Sequence, residues 1–294
     1  VTAGSAMHLV SMDSRYAAMK GHANMTEDEA AAFRRSVQHT AGSTLVSESD
    51  AMTLAEVMQD RIGDKDFYTK NLALFAKAQK GSGATAESMG EFGLLLHNMG
   101  IRDPKEVERA LSGGMSIGDK GSFTMRDLST YGLSAASTYK GMGRKGKDAL
   151  FEIDTALQLA RQSKGSSAEA GTSVDAFLRE LLNPERQKKL KRAGIKLRNK
   201  DGSFRSILDI QKDIAKRTGG DINKFAKLGF SGESLPAMMA MLSEYRQNKN
   251  FDFLNKYKTT GDEGTLDRKW RANTDTIDSA LTAIGNSWAQ TMDS

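Results

Sequence analysis

The chain has 294 residues, 27% of them charged and 38% hydrophobic, with a net charge of +5. That is enough to bury one large core or two. It has no Cys, which excludes disulfides and thiolate metal sites, and no apolar run near the roughly 18 residues that span a bilayer. A chain that opens on Val and carries no signal peptide reads as excised from a longer protein.

In chain order, residues 1–25 mix Gly, Ser, Met and Ala with weak periodicity and read as a frayed or helical leader. Thr26-Glu27-Asp28-Glu29 is a capping box, in which Thr26 and Glu29 can each bond the other's amide. The helix it starts passes Phe33 and Val37 and is expected to end before Gly42. Ser47 to Asp50 starts a second helix with Met52, Ala55 and Met58 on one face, stopped at Gly63. Tyr68, Leu72, Phe75 and Gln79 mark a third, ended by Gly81-Ser82-Gly83; Met89, Phe92, Leu96 and Met99 mark a fourth, closed by Gly100. Asp103-Pro104-Lys105-Glu106 is a cap, a Pro at the first helical position and an acid at the third. Gly113-Gly114 through Gly121 is expected to be a flexible loop. Thr124 with Asp127 starts one helix through Leu128 and Tyr131, broken at Gly141 to Gly146. Leu150, Ile153, Leu157 and Ala160 form another stripe, and Val174, Phe177, Leu178 and Leu181 the next, after a break at Lys164 to Ser167. Asn183-Pro184 opens a short basic helix. The breaks are unevenly spaced, so no fixed-period solenoid is implied.

The helical chain is then interrupted. Ile195-Lys196-Leu197 alternates like a strand, Asn199-Lys200-Asp201-Gly202 suits a turn, and Ser203-Phe204 can return, so a small β-hairpin is expected. Ser206 can cap a helix with Ile207, Ile210 and Ile214 on one face; Gly219-Gly220 stops it and Asp221 caps the next turn. From Gly264 onward Gly285 is the one glycine, so a long C-terminal amphipathic helix is expected. Trp270, Ile277 and Ile284 lie seven apart, with Thr274, Leu281 and Trp288 four beyond each, an a/d-like seam that is a candidate self-association face. The fold class is therefore mainly α: a multi-helix bundle with one β-hairpin insertion. Its expected divisions are a leader at 1–25, a multi-helix domain at 26–187, a hairpin-containing subdomain at 188–260 and the terminal helix at 261–294.

Side-chain chemistry is sparse. None of His8, His22, His39 and His97 has another at helical spacing, and His97 beside Leu94 to Leu96 reads as half-buried core. Asn199, Asp201 and Ser203 alternate as calcium ligands do, but the Gly is out of place and no Glu closes the loop, so turn chemistry is the better account. Gly141 to Asp148 nearly matches a phosphate-binding loop, yet Asp148 stands where Ser or Thr would hold magnesium and no strand precedes it. No catalytic, metal or cofactor site is expected. Eight basic and no acidic residues lie between Arg186 and Lys200. A solvated helix face accounts for them; Arg186, Lys188, Lys189, Lys191 and Arg192 are also candidate phosphate contacts for DNA. No aromatic is interleaved there to stack on bases.

The stretches AGIKLRNKDGSFRSILDIQKDIAK (193–216) and KLGFSGESLPAMMAMLSEYR (227–246) resemble the core region of phage tail tape measure proteins. They share its Gly-Ile segment, Asp-Gly turn, aliphatic helix and Phe-Gly segment leading into another helix, and the likeness extends from about Thr26 to the C-terminus. The resemblance implies a structural, non-enzymatic protein of a phage or prophage tail, one that sets tail length, scaffolds the tube and leaves with the DNA. It implies several copies per tail, contacts with tail tube and hub proteins and with assembly chaperones, and a place in the tail lumen after assembly in the host cytoplasm. It also implies that any membrane step lies outside this segment. Two other readings stand beside it. One is a helical DNA- or protein-binding module using residues 186–200. The other is a peptidoglycan-cleaving tail domain, in which Glu233-Ser234 with Pro236 faintly matches the lytic transglycosylase pattern but the expected downstream Gly-Leu-Met-Gln is replaced by Ala240-Met241-Leu242-Ser243.

Overall fold

The computed structural model describes the backbone of residues 3–258 and 263–293, and their side chains except at 3–10, 277–279, 288–290 and 292–293. The described residues are helices joined by turns. The first five are α1 (Ala3–His22), α2 (Glu27–Thr44), α3 (Glu48–Ile62), α4 (Lys65–Ser82) and α5 (Ala86–Asn98). Their starts follow the local chemistry. The Thr26 hydroxyl accepts the Glu29 N–H at 3.3 Å while the Glu29 carboxylate accepts the Thr26 N–H at 2.8 Å. Ser47 and Asp64 cap α3 and α4 through the N–H groups of Asp50 and Phe67. Gly63 and Gly83, at φ 68° and 67°, end those helices by returning their N–H groups to Gln59 and Gln79. By contrast, α2 runs through Gly42 to a left-handed Leu45. Burial of Ala41 and Thr44 outweighs the roughly 1 kcal/mol that a helical Gly costs.

The Gly113–Gly114 pair, expected in a loop, lies inside α6 (Pro104–Asp119). Val107, Leu111 and Met115 are buried at helical spacing there. Gly113 leaves room for the Phe151 ring, whose Cζ would lie 2.2 Å from an added Cβ. The helix expected through Leu128 and Tyr131 is two, α7 (Met125–Tyr131) and α8 (Leu133–Gly141). They bend at Gly132, where a Cβ would meet Leu128 O at 2.6 Å and Leu157 Cδ1 at 3.1 Å. Then come α9 (Gly146–Arg161), α10 (Ser167–Leu182), α11 (Pro184–Arg192), α12 (Ile207–Thr218), α13 (Ile222–Lys227), α14 (Pro236–Asn248), a 3-10 turn at Asp252–Tyr257, α15 (Thr265–Thr274) and α16 (Ile277–Asp293).

Three further expectations are corrected. No β-hairpin forms among the described residues; the single β-type pairing is one antiparallel bridge, Arg198 with Phe204. Asn199 N–H to Ser203 O (2.8 Å) and Arg205 N–H to Leu197 O (2.9 Å) bracket it. The ladder stops because its neighbours bond elsewhere. The Lys196 carbonyl accepts from the Arg205 guanidinium, the Ile195 N–H goes back to Leu190, and the Phe204 N–H points to Met142. Ser206 sits at the start of α12 without capping it; the Ile207 N–H goes instead to the Tyr139 hydroxyl at 2.9 Å. The long C-terminal helix is likewise two helices, parted at Asp275–Thr276. Here α15 is tied to α4 by Asn273, which donates to Lys80 O and Gly81 O, whereas α16 is tied to the end of α2 by Asn286. One straight rod cannot keep both anchors, and Asp and Thr compete readily with a helical backbone.

The chain divides into two compact units. Unit 1 holds residues 1–97, 102–108 and 264–294; unit 2 holds 98–101 and 109–263. In unit 1, α2, α3 and α4 bury Phe33, Val37, Met52, Met58, Tyr68 and Phe75. The Tyr16, Phe33 and Tyr68 rings meet edge to face at 6.1 Å. His97 is half-buried, its Nε2 3.0 Å from Asp64 Oδ2. In unit 2, α9 is the hub, packed on by α8, α10, α12 and α14. Met238 and Met241 fill irregular gaps in that core.

Candidate functional site

Unit 2 carries 28 Lys and Arg against 18 Asp and Glu, and unit 1 carries 14 against 19, so the basic excess belongs to unit 2 alone. It is densest around α11. Asn183 starts this helix by accepting the N–H groups of Glu185 and Arg186, with Pro184 at the first helical position. Leu190 is buried and fixes the rotation of the helix. Gly194, at φ 78°, then reverses the chain, and the Ile195 N–H returns to Leu190 O at 2.9 Å. This fold-back lays residues 195–198 beside α11. Between them lies an open groove of about 690 Å³. Exposed Pro184, Lys188, Lys191, Lys196 and Arg198 line it, whereas Ile195 and Leu197 at its floor are buried, 4% and 9% exposed. The lysine stems add apolar surface while their ammonium groups stay in water. Arg198 is held in place by Gly202 O at 2.7 Å and lies 4.2 Å over the Phe204 ring.

The structure separates the five candidate phosphate contacts. Arg186 turns inward: its Nη1 donates to Leu228 O at 3.1 Å, its Nη2 lies 3.5 Å from Glu180, and the guanidinium covers the Phe230 ring at 4.9 Å. Its side chain is 14% exposed. Phe230 stacks in turn on Phe225 and Phe177. Gly229, at φ 90°, makes room, because a Cβ there would lie 2.2 Å from Arg186 Nη1. Arg186 is therefore a structural residue. Lys188, Lys189, Lys191 and Arg192 are exposed, with Lys188 paired to Glu185 at 2.7 Å.

The candidate self-association residues also divide. The Trp270 indole donates to Thr44 O at 2.8 Å with Lys77 over its ring, and the Thr274 hydroxyl bonds Arg271 O, so both are engaged inside unit 1. Leu281 and Ile284 are 62% and 56% exposed. The side chains of Ile277 and Trp288 lie outside the described residues.

The remaining motifs serve the fold. Asp201 accepts the Ser203 hydroxyl and N–H, and these two bonds hold its carboxyl below the ordinary range, as a closed turn does. At 141–148, the Arg144 guanidinium pairs with Glu152 at 2.7 Å and the Gly146 N–H donates to Met99 O. Glu233 stands exposed on the turn before α14.

A family model for phage-related minor tail proteins matches residues 34–229. The chain belongs to that family. Comparison with curated proteins and with solved structures gave no match. As a member of the family, the chain is a structural component of a phage tail, and the match spans α11 and the groove. No described helix is long and apolar enough to cross a membrane.

One buried group has no counterpart in the sequence reading. Asp154, on α9, is fully enclosed and neither carboxylate oxygen meets a protein donor. Burial pushes its carboxyl well above the usual range, against a smaller opposite pull from Gln158. The Gln158 amide is itself engaged with both the N–H and the carbonyl of Phe123. Spacing could have exposed Asp154, since it stands between Leu150 and Leu157 on the apolar stripe.

Proposed function

We propose that this member of the minor tail family is a segment of a tape measure protein: a structural, non-enzymatic chain that lies in the tail lumen, sets tail length during assembly and leaves with the DNA. The observation that carries this reading is the helical build of the described residues in a family of tail proteins. A helix advances about 1.5 Å per residue, so chain length maps linearly onto tube length. Drawn out as one helix, the 294 residues would reach roughly 440 Å. The turns between helices support a compact form before assembly and an extended form in the tube. The same helix-to-helix cross-links in free protein and in tails would refute two forms.

The deciding experiment edits the chain in its phage. Deleting residues 27–98 in frame should shorten tails by about 110 Å, and duplicating them should lengthen tails by the same amount. Tails of unchanged length in electron micrographs would overturn the proposal.

A further inference from the structure

We propose that the α11 groove of unit 2 binds the phosphate backbone of duplex DNA without reading its sequence. The inference rests on the charge and geometry of the groove, and it stands whether or not the chain measures tail length. Two elements build the site by different periodicities. On α11, at about 100° per residue, Lys188, Lys191 and Arg192 turn away from the buried Leu190. After Gly194 the side chains alternate instead: Ile195 and Leu197 are buried, and Lys196 and Arg198 are exposed. The turn at Gly194 lays the two elements side by side, so Lys188, Lys191, Lys196 and Arg198 line one open groove. No acidic residue lies between Arg186 and Lys200, and among the described residues no carboxylate pairs with Lys191, Lys196 or Arg198. Lys188 keeps an exposed partner in Glu185, of the kind that salt or a phosphate displaces. Arg198 is already held by Gly202 O and lies over the Phe204 ring, so it loses little freedom on meeting a phosphate.

The same surface selects among polyanions. A protein partner needs an apolar centre, and lysine is depleted at such interfaces. Here the apolar residues are already buried beneath the groove. A single strand needs exposed rings on which its bases can stack, but Phe204 is 1% exposed and lies beneath Arg198. A duplex backbone needs neither. It presents one negative charge per roughly 1.7 Å and is bound through release of its condensed counterions.

Fluorescence anisotropy tests this, with the full chain titrated into a labelled duplex of about 30 base pairs at about 50 to 300 mM NaCl. Four phosphate contacts predict a slope of about −3.6 in log K against log salt. Lys191→Gln with Lys196→Gln alters exposed side chains only, and should flatten the slope by about two and weaken binding at least about tenfold near 100 mM. Lys191→Arg with Lys196→Arg keeps the charge and should keep both slope and affinity. Arg35→Gln with Lys70→Gln removes two exposed cations of unit 1 and should change neither. Four results would each overturn the proposal. They are no binding at about 50 mM, equal losses in the groove and unit 1 pairs, tighter binding of a single strand of the same length, and an acidic peptide that displaces the duplex better than unlabelled duplex does. The last would make the groove a protein site.

Discussion

Asp154→Asn should remove a pH dependence from the stability of unit 2. The wild-type carboxyl is raised by burial, so between its unfolded pKa, about 3.9, and its folded value the native state keeps a proton that the unfolded chain releases. Its contribution to stability is therefore fully present below about pH 3.9. It is lost as pH rises through the folded pKa, at about 1.4 kcal/mol per pH unit. Asn has nearly the same shape and never ionises. Below about pH 3.9 both side chains are neutral in the folded and the unfolded chain, and above it the variant should gain on wild type until the folded pKa is passed. Both tryptophans, Trp270 and Trp288, belong to unit 1, so their fluorescence would report the wrong unit. Hydrogen exchange of the α9 amides is the better assay, because Ile153, Ala156 and Leu157 are wholly buried and should open only with the unit. The difference in opening free energy between the two chains should widen from about pH 4 upward. Parallel profiles would refute the argument.

Three other substitutions follow from single contacts. Gly220→Ala meets both a left-handed backbone at φ 77° and the Leu242 carbonyl 2.4 Å from the new Cβ, and should cost about 2–4 kcal/mol in urea unfolding. Thr26→Ala removes one half of the capping box and should cost about 1 kcal/mol, read as a lowered Tm. Arg186→Ala should cost about 1–3 kcal/mol of stability through the Leu228 carbonyl and the Phe230 face, and should leave any duplex retention in a filter assay unchanged.

What was legible in the sequence was local. Thr26, Ser47, Thr124, Asn183 and Asp221 each start a helix where the residue type demands one, because a cap needs only its own next three amides. What was not legible depended on partners far along the chain. Gly113 is read locally as a break, and only the Phe151 ring explains it inside a helix. The strand pattern at 195–204 is real, but the Arg205 guanidinium and Met142 take the groups that a ladder would need. The basic run from Arg186 to Lys200 was visible as charge. Its division into one inward arginine and a lysine-rimmed groove required Phe230, Glu180 and the turn at Gly194 to be in place.

The parting of α15 from α16 belongs to this second kind, and it can be tested directly. If Asp275 and Thr276 alone made the break, releasing α16 would change nothing there. If the anchors make it, Asn286→Leu should free the second helix, since it removes the donor to Ala41 O and Val46 O. Each lost bond is worth about 1 kcal/mol, and together they amount to roughly a tenfold to thirtyfold increase in the detached population. With that anchor gone α15 can run on into α16, so a protease that cuts before Asp should cleave at Asp275 more slowly than in wild type, while Trp270 keeps its bond to Thr44. Cleavage at the wild-type rate would return the break to its two residues.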